Sequence, residues 1–294
     1  MRYFDLHSDT VTTAMARGKG FYDENLHINL LCSNLPHRWE QCFALWQDDT
    51  LKGDAAFKKC KAQLDYFKKE LLSLEKQKDN FKFHLTIENA SAIGDDRDNI
   101  YFFKDEKVRM ITLTWNGENA LGYGALSEER GLKAFGKSCI REMENAGIIV
   151  DVSHLNKTGF CDVLKIATKP FVASHSNCSA VYRHKRNLEN WQLQQIISSG
   201  GLIGICFYDA FLGEGKVDTF KKIYENIYCI LSMGGEKNIC FGSDFDGARL
   251  NPMINSIEKV RDLYTYLKGT DIPETTLENI FYNNAKEFFE AQMA

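Results

Sequence analysis

Short apolar runs that end in a histidine or a carboxylate recur along this chain. They read FDLHSD, FHLTIEN, IIVDVSH, PFVASH and ICFGSDFDG, and each has the length and composition of a buried strand. In a parallel α/β barrel, the C-terminal ends of all strands meet at one mouth, where functional side chains collect. Five such runs, spread from residue 7 to residue 246, therefore predict a barrel that presents polar side chains at a single site.

Strand-like and helix-like segments alternate along the sequence. Eight candidate strands cover residues 2–6, 41–46, 83–87, 109–115, 148–153, 171–174, 202–207 and 238–242. Segments of helical period cover residues 54–76, 131–146, 156–168, 188–199, 217–233, 257–267 and 274–290, whereas the connections 10–40 and 89–108 show no clear helical stripe. This alternation implies parallel strands joined by right-handed crossovers. We predict an α/β fold, a (β/α)8 TIM-type barrel, as a single domain over residues 1–294.

The composition argues against several other classes of protein. The formal net charge of −4 and the lack of a basic stripe give no reason to expect a nucleic-acid partner. No GxGxxG motif follows the first strand and no GxxxxGK[ST] motif occurs, which disfavours a nucleotide-binding sheet. None of the nine cysteines forms a CxxC pair, and several lie in apolar runs, as expected of reduced thiols. With no apolar signal region and no stretch of about 20 apolar residues, we expect a cytoplasmic protein without membrane contact.

Five residues at the strand ends are candidate metal ligands. His7 and Asp9 are two positions apart, so their side chains point to the same side of an extended segment. His154 and His175 end consecutive strands, and Glu88 ends the third strand with two oxygens that can contact two ions. Zinc accepts both imidazole and carboxylate ligands. Each residue alone would also fit an ordinary core or surface position, but their shared place at strand ends favours a metal site.

Two further residues suit a hydrolytic reaction. Asp244 closes the eighth candidate strand, where a carboxylate can face a metal-bound water and take its proton. Arg186 follows the sixth strand by a short loop, and a guanidinium can hold a carboxylate through two parallel hydrogen bonds. Asp246, which precedes a glycine, fits better as a cap of the following turn.

Taken together, these segments resemble the membrane (renal) dipeptidase family of zinc metallopeptidases, within the amidohydrolase-like barrels. The resemblance runs from Phe4 to Asp246 and depends on the order of several motifs. The matching elements are the HxD pair at His7 and Asp9, Glu88, the DxSH and SHS histidines His154 and His175, the RN pair at Arg186 and Asn187, and the DFDG segment from Asp244 to Gly247.

The resemblance implies a mechanism as well as a fold. It implies two zinc ions bridged by Glu88 and a hydroxide, one held by the HxD pair and the other by the two later histidines. On that template the bridging hydroxide attacks the peptide carbonyl of a dipeptide. Asp244 then handles the proton, and Arg186 holds the terminal carboxylate of the substrate.

The chain also departs from the animal members of the family. Those proteins carry a histidine after the fourth strand, thought to stabilise the developing oxyanion, whereas this sequence has Trp115, a form associated with bacterial members. We place Trp115 in the substrate pocket and consider Asn116 and Asn119 as candidate replacements for the histidine. The animal signal peptide and lipid-anchor tail have no counterpart, so a membrane location is not expected.

Three functions remain open at this stage. A dinuclear zinc dipeptidase is the leading hypothesis, and another amidohydrolase-type enzyme, such as a D-aminoacylase, is the nearest alternative. A non-catalytic metal-binding barrel is the third, but such a protein would need neither Asp244 nor Arg186. The preference for a D or L residue and the assembly state, with a homodimer as one option, are left undecided.

Overall fold

The fold is built around one parallel sheet. The computed structural model describes residues 1–32, 34–74 and 80–293. Within these ranges the sheet has seven strands, which pair in the order β5-β4-β3-β2-β1-β7-β6. The strands are β1 (Arg2–Asp5), β2 (Arg38–Trp46), β3 (Phe81–Glu88), β4 (Val108–Thr112), β5 (Ile149–Asp151), β6 (Ile203–Ile205) and β7 (Ile239–Phe241). All of the pairings are parallel, as the sequence predicted.

The segment 171–174 joins the two edges of this sheet. Val172 forms a parallel bridge with Asp151 of β5, and Ala173 forms one with Ile203 of β6. The sixth predicted strand thus lies in its expected place but contributes two isolated bridges instead of a continuous ladder. Because it links β5 to β6, the sheet closes into a ring with eight members. The prediction of a TIM-type barrel is confirmed.

Glycines allow the ring to close tightly beside this segment. A Cβ atom built on Gly204 would lie 1.9 Å from the carbonyl oxygen of Ser174, and one on Gly242 would lie 1.8 Å from the same oxygen. No side chain fits at such distances, so β6 and β7 approach the backbone of Ser174 through residues that lack a Cβ. This close approach fixes the backbone immediately before His175.

Helices cover the outside of the ring. The α-helices of the described residues are α1 (Thr10–Arg17), α2 (Gly53–Leu74), α3 (Asp98–Asp105), α4 (Ala134–Ala146), α5 (Lys157–Ile166), α6 (Asn190–Ser198), α7 (Asp209–Leu212), α8 (Thr219–Ser232), α9 (Val260–Lys268), α10 (Glu274–Glu278) and α11 (Asn284–Met293). The last two residues of the helix predicted at 54–76 lie outside the described residues. None of the helices in the described ranges is long and apolar enough to cross a membrane.

The sequence did not predict three of these helices, which are α1, α3 and the four-residue α7. α1 and α3 lie in the connections 10–40 and 89–108, which were predicted to be irregular. Each has only eight residues, and the buried apolar side chains of α3 are Ile100 and Phe103. Two apolar positions are too few to establish a helical period. The predicted helix at 274–290 is also interrupted, because Asn279–Asn283 form a turn of π-helix between α10 and α11.

The interior of the barrel is packed at its N-terminal end. One cluster of buried side chains combines residues of the strands with residues of the C-terminal helical segment: Phe4, Leu6, Cys42, Met110, Ile149, Val172, Leu202, Cys240, Tyr282, Ala285, Phe288 and Phe289. Tyr282 also donates a hydrogen bond of 2.6 Å to Glu40 near the start of β2. The C-terminal segment therefore closes this end of the barrel and leaves the other end for polar side chains.

Candidate metal centre

Six ligand-type side chains converge at the C-terminal ends of the strands. They are the five predicted ligands His7, Asp9, Glu88, His154 and His175, together with Asp244. His7 Nε2 lies 3.3 Å from a carboxylate oxygen of Asp9, 3.5 Å from one of Glu88 and 4.0 Å from one of Asp244. The structure therefore brings together residues from both ends of the sequence.

Glu88 lies between two groups of these residues. Its Oε2 atom is 3.5 Å from His7 Nε2, whereas its Oε1 atom is 2.8 Å from His154 Nε2 and 3.7 Å from His175 Nε2. Glu88 is only 3% exposed, so its oxygens cannot be satisfied by bulk water. A carboxylate placed in this way can contact two ions at once.

The backbone is strained where several of these side chains leave their strands. Five non-glycine residues of the described ranges have a positive φ, and four of them lie at this end of the barrel: Asn89, His154, Asp244 and Asp246. Such conformations cost about 1–3 kcal/mol each and persist only where the surrounding structure holds them. The strain directs His154 and Asp244 towards the centre instead of along their strands.

Hydrogen bonds fix the orientation of two imidazole rings. His175 Nδ1 lies 2.8 Å from Ser174 Oγ, which donates its own proton to Asp151 over 2.6 Å, so this nitrogen must be the donor. His154 Nδ1 lies 2.9 Å from the side-chain oxygen of Asn116 and is assigned as a donor on the same grounds. Burial lowers the pKa of both imidazoles well below the usual value, so both rings are neutral.

In these tautomers, the Nε2 lone pairs of the two imidazole rings face each other. With a proton on each Nδ1, the Nε2 atoms of His154 and His175 are both acceptors, yet they lie only 2.8 Å apart. Two lone pairs repel at this distance unless a cation lies beside them. His7 Nε2 and one oxygen of Asp9 are likewise buried without a hydrogen-bond partner. The donor set of imidazole nitrogens and carboxylate oxygens therefore fits a metal such as zinc.

The pKa values of the side chains at the centre also favour a bound cation. Without a bound cation, burial raises the pKa of Glu88 to about 8 and that of Asp244 to about 7, and the nearby Asp9 carboxylate adds to both shifts. Burial alone would lower the pKa of His7, but Glu88 and Asp9 outweigh it and raise that pKa well above the usual value. The carboxylates thus attract positive charge, which divalent ions would supply in place of protons.

A cavity of about 410 Å³ opens above these residues. Its lining includes Asp9, Glu88, His154 and Asp244 on one side and the aromatic rings of Trp46, Trp115, Tyr208 and Phe211 on the other. The Trp46 and Trp115 rings pack edge to face, with their centroids 5.1 Å apart. Trp115, the residue that departs from the animal pattern, therefore forms part of an aromatic wall beside the centre.

Arg186 lines a second cavity of about 880 Å³, which shares His154 with the first. The guanidinium is 3% exposed, and its Nε atom has no hydrogen-bond partner. Its Nη2 atom donates a long bond of 3.4 Å to the carbonyl oxygen of His175. Within the described ranges, no carboxylate lies within ion-pair distance of it. A buried cation with unused donors is the arrangement expected of an anion-binding residue.

The structure shows contacts that the sequence did not predict for three residues, which are Asn116, Asn119 and Asp246. Asn116 orients His154, as described above. The Asn119 side chain donates to two oxygens and accepts from two backbone amides within its own loop region, so no donor remains for a substrate. Asp246 was predicted to cap the following turn, but it accepts hydrogen bonds from Thr10 and from the backbone of His27 and Ile28.

Comparison with known proteins assigns the family. The model of the membrane dipeptidase family, peptidase family M19, matches residues 44–292. The chain belongs to this family. It is therefore a metallo-dipeptidase, a hydrolase that acts on peptide bonds, and the family implies a metal cofactor. The resemblance inferred from the motifs is confirmed.

The related proteins match this M19 chain over different fractions of its length. A protein encoded in the pqqA 5′ region of Klebsiella pneumoniae is 31% identical over 209 residues, which cover 67% of this chain and 77% of that protein. An uncharacterised dipeptidase of Schizosaccharomyces pombe is 33% identical over 164 residues, or 53% of this chain, and the chain spans only 39% of it.

Solved structures share the fold over the whole M19 chain. A metallo peptidase from Rhodobacter sphaeroides superimposes with a TM-score of 0.88 at 21% identity, and the match covers 99% of each chain. That crystal structure contains a phosphinate mimic of the dipeptide L-Ala-D-Ala. At this level of identity, the comparison supports the barrel fold.

Proposed function

We propose that this protein is a dinuclear zinc dipeptidase. The observation that carries the proposal is the opposition of the His154 and His175 Nε2 lone pairs, 2.8 Å apart and next to a Glu88 oxygen. A cation shared by the two Nε2 atoms would remove the repulsion between these neutral imidazoles. His7, which lies near the other oxygen of Glu88, and Asp9 would form a second set of ligands.

His7, Asp9 and Glu88 would hold one ion, and Glu88, His154 and His175 would hold the other. When bound, the zinc ions supply a water-derived nucleophile at neutral pH and polarise the carbonyl of the scissile peptide bond. The protein holds the ligands on the ends of different strands, so their relative positions depend on the closed barrel. Glu88 would contribute one oxygen to each set of ligands.

Asp244 acts as the proton carrier. One of its oxygens lies 4.0 Å from His7 Nε2, so the carboxylate faces the centre from the end of β7. Burial raises its pKa to about 7 without a bound cation, which supports a role in proton transfer near neutral pH. Asp244 takes a proton during attack on the carbonyl and returns it to the amine of the leaving amino acid.

Arg186 binds the free carboxylate of the dipeptide. Its guanidinium is buried and retains unused donors beside His154, which is shared by the two cavities. A carboxylate bound there keeps the peptide bond close to the centre and excludes longer chains that continue beyond this point. The neighbouring Rhodobacter sphaeroides structure, which contains a mimic of L-Ala-D-Ala, supports a small dipeptide as the substrate.

Metal analysis and a substrate screen test this function together. Protein purified without chelator should contain two zinc ions, and His7→Ala and His154→Ala should each lose one ion selectively. His37→Ala is a matched control, because His37 contacts the backbone of Met1 far from the centre. Only trace metal in the wild type would refute the dinuclear centre. A bound metal combined with hydrolysis of N-acyl-D-amino acids but not of dipeptides would favour the D-aminoacylase, and no hydrolysis would favour a binding protein.

A further inference from the structure

Two buried aspartates make the same set of contacts at two places below the metal centre. The first is Asp5, the last residue of β1. Its Oδ1 atom accepts hydrogen bonds from the backbone N–H of His7 over 3.2 Å and of Ser243 over 2.8 Å. Its Oδ2 atom accepts a hydrogen bond of 2.6 Å from the Ser243 hydroxyl. Asp5 therefore ties β1 to the segment that follows β7.

The second is Asp151, the last residue of β5. Its Oδ1 atom accepts hydrogen bonds from the backbone N–H of Ser153 over 3.0 Å and of Ser174 over 2.9 Å. Its Oδ2 atom accepts a hydrogen bond of 2.6 Å from the Ser174 hydroxyl and one of 2.6 Å from Thr112. As with Asp5, the partners include the residue two positions further along the chain and a serine of the adjacent ring member, whereas the bond from Thr112 is found only at Asp151.

We call the pairs Asp5–Ser243 and Asp151–Ser174 the Asp–Ser clamps. Residues of the candidate metal centre follow both members of each clamp closely along the chain. Ser243 precedes Asp244, and Ser174 precedes His175. On the aspartate side, His7 follows Asp5 by two positions and His154 follows Asp151 by three. On one side of the ring, β6 lies between the two clamps. β3, which ends in Glu88, lies on the opposite side of the ring from β6. The clamps thus support the two ligand sets that Glu88 joins.

We propose that Asp5 and Asp151 are positioning residues, each of which sets the geometry of one of the two ion sites. The inference rests on the two-ion centre proposed above. Asp5 serves the ion held by His7 and Asp9, and Asp151 serves the ion held by His154 and His175. Neither aspartate is assigned as a ligand, because both oxygens of each carboxylate accept hydrogen bonds from neighbouring strands and loops.

The Asp151 clamp also controls which nitrogen of His175 is free to bind a metal. The Ser174 hydroxyl donates to Asp151, so its lone pair accepts the His175 Nδ1 proton and leaves Nε2 unprotonated. An asparagine at position 151 could donate an N–H to Ser174 instead. The hydroxyl would then donate to His175 Nδ1 and favour the tautomer with a proton on Nε2, which cannot bind a cation through that nitrogen.

The test uses Asp5→Asn, Asp151→Asn and a matched control. The control is Glu144→Gln, because Glu144 is also buried and accepts two backbone N–H groups and a hydroxyl, from Thr168 and Lys169, outside the metal centre. Each full-length variant is loaded with cobalt(II), and the affinity of each ion is measured by competition with a chromophoric chelator. The absorption spectra of His7→Ala and His154→Ala identify which ion is lost.

Each aspartate variant should bind one ion about 10–100-fold more weakly, the range found when an outer partner of a metal ligand is removed. Asp5→Asn should match the spectral change of His7→Ala, and Asp151→Asn that of His154→Ala. Glu144→Gln should lower the melting temperature but keep both cobalt affinities. If Asp151→Asn does not fold, Ser174→Ala replaces it, since it removes the hydroxyl and keeps the backbone contacts of Asp151.

Three results would overturn the inference, and they are distinguishable from one another. If the wild type binds two ions and both aspartate variants lose no more affinity than Glu144→Gln, the clamps are ordinary structural contacts while the dinuclear centre remains. If both variants weaken the two ions equally, the assignment of one clamp to each ion is wrong. Failure of the wild type to bind cobalt would refute the dinuclear centre itself, and the positioning role with it.

Discussion

Replacing Arg186 by alanine should remove the preference of the enzyme for a free C-terminal carboxylate. The guanidinium is 3% exposed, its Nε has no partner, and its Nη2 makes only a long contact of 3.4 Å. Burial lowers the pKa of this guanidinium, but the group remains cationic at neutral pH. A substrate carboxylate would therefore form charge-assisted hydrogen bonds with donors that have little competition from water.

The size of the effect follows from those hydrogen bonds. A hydrogen bond to a charged group contributes about 1.5–3 kcal/mol, which corresponds to roughly 10- to 150-fold in kcat/KM. The wild type should thus cleave Ala-Ala that much faster than the amide of Ala-Ala. In Arg186→Ala the ratio should approach one, because both substrates then lack the partner. Arg186→Lys should also be impaired, since an ammonium cannot form two parallel hydrogen bonds.

The assay is a comparison of kcat/KM for Ala-Ala and its amide in each variant. Arg183→Ala is the matched control, because Arg183 lines the same cavity but is exposed, and its removal should keep the wild-type ratio. A wild type that cleaves both substrates equally well would refute the assignment. So would an Arg186→Ala variant that keeps its preference for the carboxylate.

Three further predictions concern the centre itself. Asp244→Asn should keep its metal, measured by elemental analysis, but lower kcat for Ala-Ala by about 10²–10⁴-fold; a near wild-type kcat would assign the proton transfer elsewhere. Glu88→Gln should retain fewer than two ions after dialysis, and two retained ions would contradict its bridging role. In the metal-free native state, the pKa values of Glu88 and Asp244 are raised to about 8 and about 7. This state therefore keeps protons on both carboxyl groups at pH values where the unfolded chain, which releases them near pH 4, has lost them. Its free energy of unfolding should therefore fall between pH 6.5 and pH 8, by at most about 1.4 kcal/mol per pH unit for each carboxyl. Urea unfolding with chelator measures this fall, and an increase over that range would contradict it.

The convergence of the candidate ligands could be predicted from the sequence because each lies at or just after the end of an apolar run. His7, Glu88 and His175 lie within three residues of the end of a strand or bridging segment, so the barrel geometry places them without knowledge of tertiary contacts. The alternation of strands and helices gave the ring itself. α1 and α3 escaped because helices of eight residues bury too few apolar side chains to produce a recognisable period.

Residues whose role depends on a contact with a residue distant in sequence could not be predicted in the same way. Asn116 is one of several loop asparagines, and its bond to His154 links positions 38 residues apart. Asp5 and Asp151 occur inside apolar runs, where a carboxylate gives no indication of its partner. Trp46 ends a strand like the ligands do, but its packing against Trp115 depends on how the loop after β4 folds back. These pairings are properties of the folded chain.

The Asp5 clamp has a consequence for the order in which the protein acquires its metal. Asp5 and Ser243 are separated by 238 positions, and β1 pairs with β7 only when the ring closes. During synthesis, His7 emerges early, whereas Asp244 follows after most of the chain has been made. A nascent chain that lacks Ser243 thus cannot form the hydrogen bonds that hold Asp5 beside His7. Metal uptake should therefore be a late, post-translational event that stabilises the closed ring, because a metal bound only by the native state shifts the equilibrium away from open forms.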